Sequence, residues 1–141
     1  MTRADFADRI LVPTRWEDVD HYGHVNNVAY YSYFDTAVNG WLFQATGTDI
    51  RHLDAIGIVA ESSCRFLGSL DFPQVVEAWL RLERLGNSSV TYAIGLFCDA
   101  DVHPRAVGSF VHVYVDRGTR RPVPIPDAIR QVLGALVRTT G

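Results

Sequence analysis

The chain has 141 residues, 48% of them hydrophobic, and its 13 Lys and Arg against 16 Asp and Glu leave a net charge of −3. That size and apolar content suit one globular domain, expected over residues 1–141. Scattered, slightly acidic charge disfavours a nucleic-acid surface, and the longest apolar runs fall short of the roughly 20 residues that a membrane-crossing helix needs. The N-terminal MTRADFADRI has no apolar signal-peptide core, so a cytoplasmic protein with neither nucleic acid nor membrane as partner is expected.

Arg9 to Thr14 reads as a short first strand. It runs into DVDHYGHVNN, Asp18 to Asn27, which gathers two acids, two histidines, a turn glycine and two asparagines. From Asn27 to Gln44, apolar or aromatic residues at 30, 31, 34, 37, 38, 41 and 42 have helical spacing. Tyr30, Tyr31, Tyr33, Phe34 and Trp41 fall on more than one side, which predicts a helix enclosed by a curved sheet.

Four β-prone segments follow: Gly57 to Phe66, Gln74 to Leu85, Ser88 to Asp99 and Arg105 to Asp116. Gly86-Asn87 predicts a hairpin between the second and third of these. In the last, Val107, Ser109, Val111, Val113 and Val115 alternate with Phe110, His112 and Tyr114. Prolines at 122, 124 and 126 end strand structure, and Asp127 favours a second helix start, with Ile129, Val132, Leu133, Leu136 and Val137 as its apolar stripe. The expected class is α+β, one long helix cradled by an antiparallel sheet. Strands in succession after a helix argue against a βαβ nucleotide fold, and neither GxGxxG nor a P-loop is present.

The chemistry concentrates where the loop meets the helix. Asp20 precedes backbone amides that a first helical turn leaves unpaired, and such amides can polarise a carbonyl. Asp18 suits a loop-stabilising role, because Asp side chains bond nearby N–H groups in turns. Gly23 suits a positive φ or close approach of a substrate. His24 either orients water or the carboxylate, or is a hydrogen-bonded structural group. Asn26 and Asn27 side chains can cap the helix, which leaves only the Asn27 backbone for chemistry. Glu61 alternates with Val59 and Ser63, and either projects towards the site, in its own or a neighbouring subunit, or lies exposed on its strand.

Cys64 and Cys98 read as buried structural thiols. His21 and His24 lack a third ligand at recognisable spacing and His52, His103 and His112 are isolated, so no metal site is expected. No serine occupies a G-x-S-x-G elbow.

The segment RWEDVDHYGHVNNVAYYSYFDTA, Arg15 to Ala37, resembles the signature of the hotdog-fold acyl-CoA thioesterases of the 4-hydroxybenzoyl-CoA thioesterase type, in which D-x-D-x-x-G-x-x opens the central helix. The long strand from Gln74, the LGNSSV loop and the VHVYVDRGTRRPVPIP stretch extend the likeness over nearly the whole chain. HVNN is shared with plant-type acyl-carrier-protein thioesterases, from which Tyr22 departs.

The resemblance implies a hotdog fold, an acyl-CoA substrate, no cofactor, and a homodimer or homotetramer. It implies that Asp20 is the nucleophile or general base and that the Asn27 N–H polarises the thioester carbonyl, with His24 beside them. Substrate-binding roles are expected for Tyr22, Gly23, Asn26 and Glu61, and for Arg84, Ser88 and Ser89 around the turn that approaches CoA in this family. The helix aromatics Tyr30, Tyr31, Tyr33, Phe34 and Trp41 read mainly as core, with one or two able to line an acyl pocket. Two other readings stay open. One is a hydratase or dehydratase of the same fold pairing Asp20 with His24, although that motif spaces acid and histidine by five with an intervening N-P, and here the spacing is four without proline. The other is a non-catalytic thioester-binding module.

Overall fold

The computed structural model describes residues 1–137. Five antiparallel strands, β1 (Asp8–Pro13), β2 (Ala55–Phe66), β3 (Val75–Leu85), β4 (Ser89–Cys98) and β5 (Ala106–Asp116), form one curved sheet in the order β1-β3-β4-β5-β2. Between β1 and β2 runs the long helix α1 (Asn27–Thr46), and after β5 comes the short helix α2 (Asp127–Leu133). This is the hotdog fold.

Local chemistry sets both ends of α1. The Asn26 side chain accepts the Val28 N–H at 3.0 Å, and Gly47, at φ 65°, closes the helix with its N–H on the Phe43 carbonyl. Tyr30, Tyr33, Phe34, Ala37, Val38, Trp41 and Leu42 form a buried stripe three and four residues apart. The opposite side is open, with Val28 75% and Tyr31 37% exposed. The helix is therefore laid on the sheet by one face, which corrects the expectation that it is enclosed. Tyr31 widens the apolar surface by setting its ring edge-on to Phe34 at 6.1 Å, without itself being buried.

Contact between helix and sheet is close at Gly108 on β5, where a Cβ would be driven into the Phe34 ring. Phe110, His112 and Tyr114 share this inner face with Ala106 and Gly108, while Val107, Val111 and Val113 on the outer face are half-buried. Part of the outer face is covered by the N-terminal segment, whose Phe6 packs with Ala93, Phe97 and Trp79.

The β3–β4 hairpin forms around Gly86-Asn87, with Leu85 opposite Val90 and the Gly86 N–H on the Ser89 carbonyl at 2.8 Å. On β2 a bulge interrupts simple alternation: Val59 faces His112 and Glu61 faces Val111, which leaves Ala60 extra. Cross-strand partners share a face, so Glu61 lies with Val111 on the outer side of the sheet, away from α1. Its predicted alternation with Val59 does not hold.

Beyond Leu133 the chain tightens into a 3-10 turn, Gly134–Leu136. Ile129, Leu133 and Leu136 are buried and Val132 is partly so, but Val137 is 53% exposed and leaves the predicted stripe. Cys98 is buried and Cys64 half-buried, both free, and burial pushes each thiol up to about 11.

Candidate active site

The loop between β1 and α1 is folded back on itself by main-chain bonds. The Asp20 N–H donates to the His24 carbonyl at 3.0 Å, the Gly23 N–H donates to the Asp20 carbonyl at 3.1 Å, and Val19 bridges Val25. Gly23 sits at φ 85°, and a Cβ there would meet no atom within 4 Å, so the backbone angle alone requires glycine. The turn is anchored to the sheet side by the Val25 N–H on the Leu70 carbonyl at 2.9 Å.

Asp18 fixes the loop from beneath. It is only 6% exposed, and its carboxylate accepts the Tyr33 hydroxyl at 2.7 Å, the Arg15 N–H at 3.0 Å and Arg15 Nη2 at 2.9 Å. Burial pulls this carboxyl up, but the bonds from Arg15 and Tyr33 overcome that and hold it below the usual carboxylate range. The Asp18 carbonyl in turn accepts the Asn26 N–H at 2.8 Å, which sets the helix cap.

Above this brace, Asp20, Tyr22, His24, Val25, Asn26 and Asn27 line one cleft of about 550 Å³, together with Tyr30 and residues 66–69. Asp20 is half-buried there. Its Oδ1 accepts the Tyr22 N–H at 2.9 Å, and among the described residues Oδ2 accepts nothing. Because Asn26 spends its own side chain on the Val28 N–H, the N–H of Asn27 at the first helical position keeps no partner among the described residues. A carboxylate and an unengaged helix-start amide thus share one cavity, the pair required to attack a carbonyl carbon and stabilise the charge on its oxygen.

Of the other residues singled out by sequence, Tyr22 is 77% exposed and stacks against His21 at 4.0 Å. His24 is exposed at the cleft wall. Glu61, Arg84, Ser88 and Ser89 do not line this cleft. The β3–β4 hairpin that carries the last three lies at the far end of β3, roughly 33 Å along the strand from its Val75 end. There the Arg130 side chain donates to the carbonyls of Gly86 and Asn87. Tyr30, one of the helix aromatics of which one or two are expected to line an acyl pocket, lines the cleft from one turn beyond Asn27 on the same helix face, whereas sequence reasoning missed Phe66. Phe66 meets Tyr30 edge-on at 5.0 Å only through the fold.

Among the described residues no three His, Cys, Asp or Glu side chains converge as a metal site, and no helix is long and apolar enough to cross a membrane.

Residues 14–133 match the model of the thioesterase-like superfamily. Among solved structures, the chain is similar to the PA5185 protein of Pseudomonas aeruginosa strain PAO1, at 46% identity over 99% of this chain and 98% of that one, with a TM-score of 0.94. It is 31% identical to the PA2801 protein of Pseudomonas aeruginosa, provisionally described as a thioesterase, over 89% of this chain and 97% of that one, with a TM-score of 0.81. Likeness to the DHNA-CoA thioesterase from Staphylococcus aureus is one of fold, at 15% identity over 91% of this chain and 87% of that one, with a TM-score of 0.79. No curated protein matches the chain.

Proposed function

The chain belongs to the thioesterase-like superfamily and is a thioester hydrolase, and from that premise we propose that it cleaves acyl-CoA thioesters with the Asp20 carboxylate and the Asn27 N–H. The observation that carries this reading is their meeting in one cleft, each with hydrogen-bonding capacity unspent. The thioester carbonyl oxygen would accept the Asn27 N–H, and the helix start would stabilise the negative charge that builds there. One such donor contributes about 3 kcal/mol to the transition state.

Two routes are open to Asp20. As general base it takes a proton from water while the water oxygen bonds to the carbonyl carbon, and collapse of the tetrahedral intermediate breaks the C–S bond and releases CoA as its thiolate. As nucleophile, it forms a mixed anhydride and expels the thiolate first, after which water cleaves the anhydride. His24 lines the same cleft and would orient the water. An acyl-CoA substrate also accords with the DHNA-CoA thioesterase of the same fold.

A second copy of the chain completes the reading. β2 is a 12-residue edge strand with no buried residue, and Ile58, Val59 and Phe66 are all more than one-third exposed. Such an edge is a template for pairing. Two copies joined along β2 would extend the sheet and cover the open face near α1.

The experiment is thiol release from a panel of acyl-CoAs by the wild type and by Asp20→Asn, with light scattering to read the mass in solution. Loss of turnover in Asp20→Asn with an unchanged fold is expected. Equal rates from the two proteins would remove Asp20 from the mechanism, and a monomer would remove the partner from the site.

A further inference from the structure

Away from the cleft, a cavity of about 190 Å³ lies between the carboxyl-terminal half of α1, the turn that follows it, β2, β5 and α2. Leu42, Ile50, Ile56 and Ile129 form apolar walls, and His112 and Tyr114 on β5 present their rings to it. None of its lining residues is shared with the cleft at Asp20. Leu42 follows Asn27 by fifteen residues on the helix, which is roughly 22 Å along its axis.

This cavity contains an unmet hydrogen bond. His112 is 2% exposed, and its Nδ1 has no partner; the other buried side-chain polar atom in that condition among the described residues is Tyr92 Oη, whose ring lies 6.0 Å from His112. Leaving a buried polar group unpaired is costly, so the arrangement suits a site that receives a polar group from outside. Gly57 keeps the approach open, because a Cβ there would lie 3.2 Å from both His112 Nδ1 and Tyr114 Cζ. At the rim, the Arg117 side chain donates to the carbonyls of Arg51 and Leu53 and holds that short turn beside the cavity.

We propose that the cavity around His112 is a second binding site, for a small molecule with an apolar body the size of a single ring and one hydroxyl group. An apolar cavity of about 150 Å³ is large enough for benzene, so the volume fits one ring and little more. A hydroxyl both donates and accepts, and so satisfies Nδ1 whichever ring nitrogen carries the proton. Burial pushes the His112 pKa down to about 4, so the ring is neutral at neutral pH and calls for no charge on the ligand. This site goes beyond the hydrolytic reading and does not depend on it.

The test is calorimetric titration of the full chain with phenol and, in parallel, with toluene, which has the same shape and no hydroxyl. Saturable 1:1 phenol binding is expected, about tenfold tighter than toluene, as one added buried hydrogen bond implies. His112→Phe should level the two affinities, and Ile56→Trp, filling the cavity from its half-exposed rim, should abolish both. Asp20→Asn should leave phenol binding unchanged, so failure of this site and failure of the hydrolytic reading are read separately. No saturable phenol binding, equal affinities in the wild type, or binding that survives Ile56→Trp would each overturn the inference. If a variant does not fold, the phenol and toluene comparison on the wild type decides alone.

Discussion

The Tyr33 hydroxyl donates to Asp18 Oδ2 at 2.7 Å and so ties the buried face of α1 to the loop in front of it. Through the Asp18 carbonyl the same contact reaches the Asn26 N–H and the cap of the helix. The helix thus holds in place the loop that presents Asp20 beside its own first turn. Neither Asp18 nor Tyr33 lines the cleft, and both act by positioning.

Tyr33→Phe keeps the ring and removes the donor. A hydrogen bond to a buried carboxylate contributes about 2 kcal/mol, and urea denaturation at pH 7 should show a loss of that order. The Asp18 pKa is depressed in the folded state, so its contribution is complete above the ordinary value of 3.8 and is lost as pH falls through the lower, folded value. The gap between wild type and variant should therefore be full at neutral pH and narrow in acid. A gap independent of pH would mean that Tyr33 stabilises by packing alone.

At Asn27 the backbone and the side chain make opposite predictions. Asn27→Ala leaves the N–H in place and should change kcat little. Asn27→Pro removes the N–H at the one helical position where proline is well tolerated, and Asn26, at φ −61° and ψ 138°, already has the extended backbone that precedes a proline. Thiol release by this variant should fall about a hundredfold with helix content retained, the cost of one oxyanion donor. Full activity in Asn27→Pro would assign the carbonyl to another donor.

Gly108→Ala tests the seat of α1 on β5. The added methyl collides with the Phe34 ring, and overpacking of this kind costs about 1–3 kcal/mol. Trimming the ring in the double variant Gly108→Ala with Phe34→Leu should recover part of the loss relative to the sum of the single changes. Additive single and double effects, measured by thermal or urea unfolding, would show that the backbone moves and the ring does not.

These contacts also mark how far the sequence could be read. The Asn26 cap, the positive φ at Gly23 and the Gly86-Asn87 hairpin involve residues a few positions apart, whose local chemistry admits few alternatives. The Asp18 to Tyr33 bond spans 15 positions and needs the helix already packed. Phe66 and Ser69 reach the cleft from the end of β2, a placement that only strand order determines. Glu61 shows the sharpest limit: one unpaired residue at Ala60 reverses its face, and nothing in the alternation of apolar residues announces a bulge there. The exposed side of α1 misled for another reason, since an aromatic such as Tyr31 reads as core from composition while remaining at the surface of one protomer.

His112 makes stability depend on pH in a window separate from that of Asp18. Burial lowers its pKa from 6.5 to about 4 in the folded protein, so between those values the unfolded chain binds a proton that the native ring refuses. Stability should then fall as pH drops through the window, by about 2 kcal/mol at pH 5 relative to pH 7.5, since each pH unit below the unfolded pKa is worth about 1.4 kcal/mol. His112→Phe preserves an aromatic ring against Phe110 and Tyr114 and removes the titrating group, so the variant should lose this slope between pH 6.5 and 5 while keeping the loss at lower pH carried by Asp18. Urea unfolding of the two proteins at matched pH values gives the comparison. The same slope in both would place the linkage on another group and leave the His112 ring free to take up its proton.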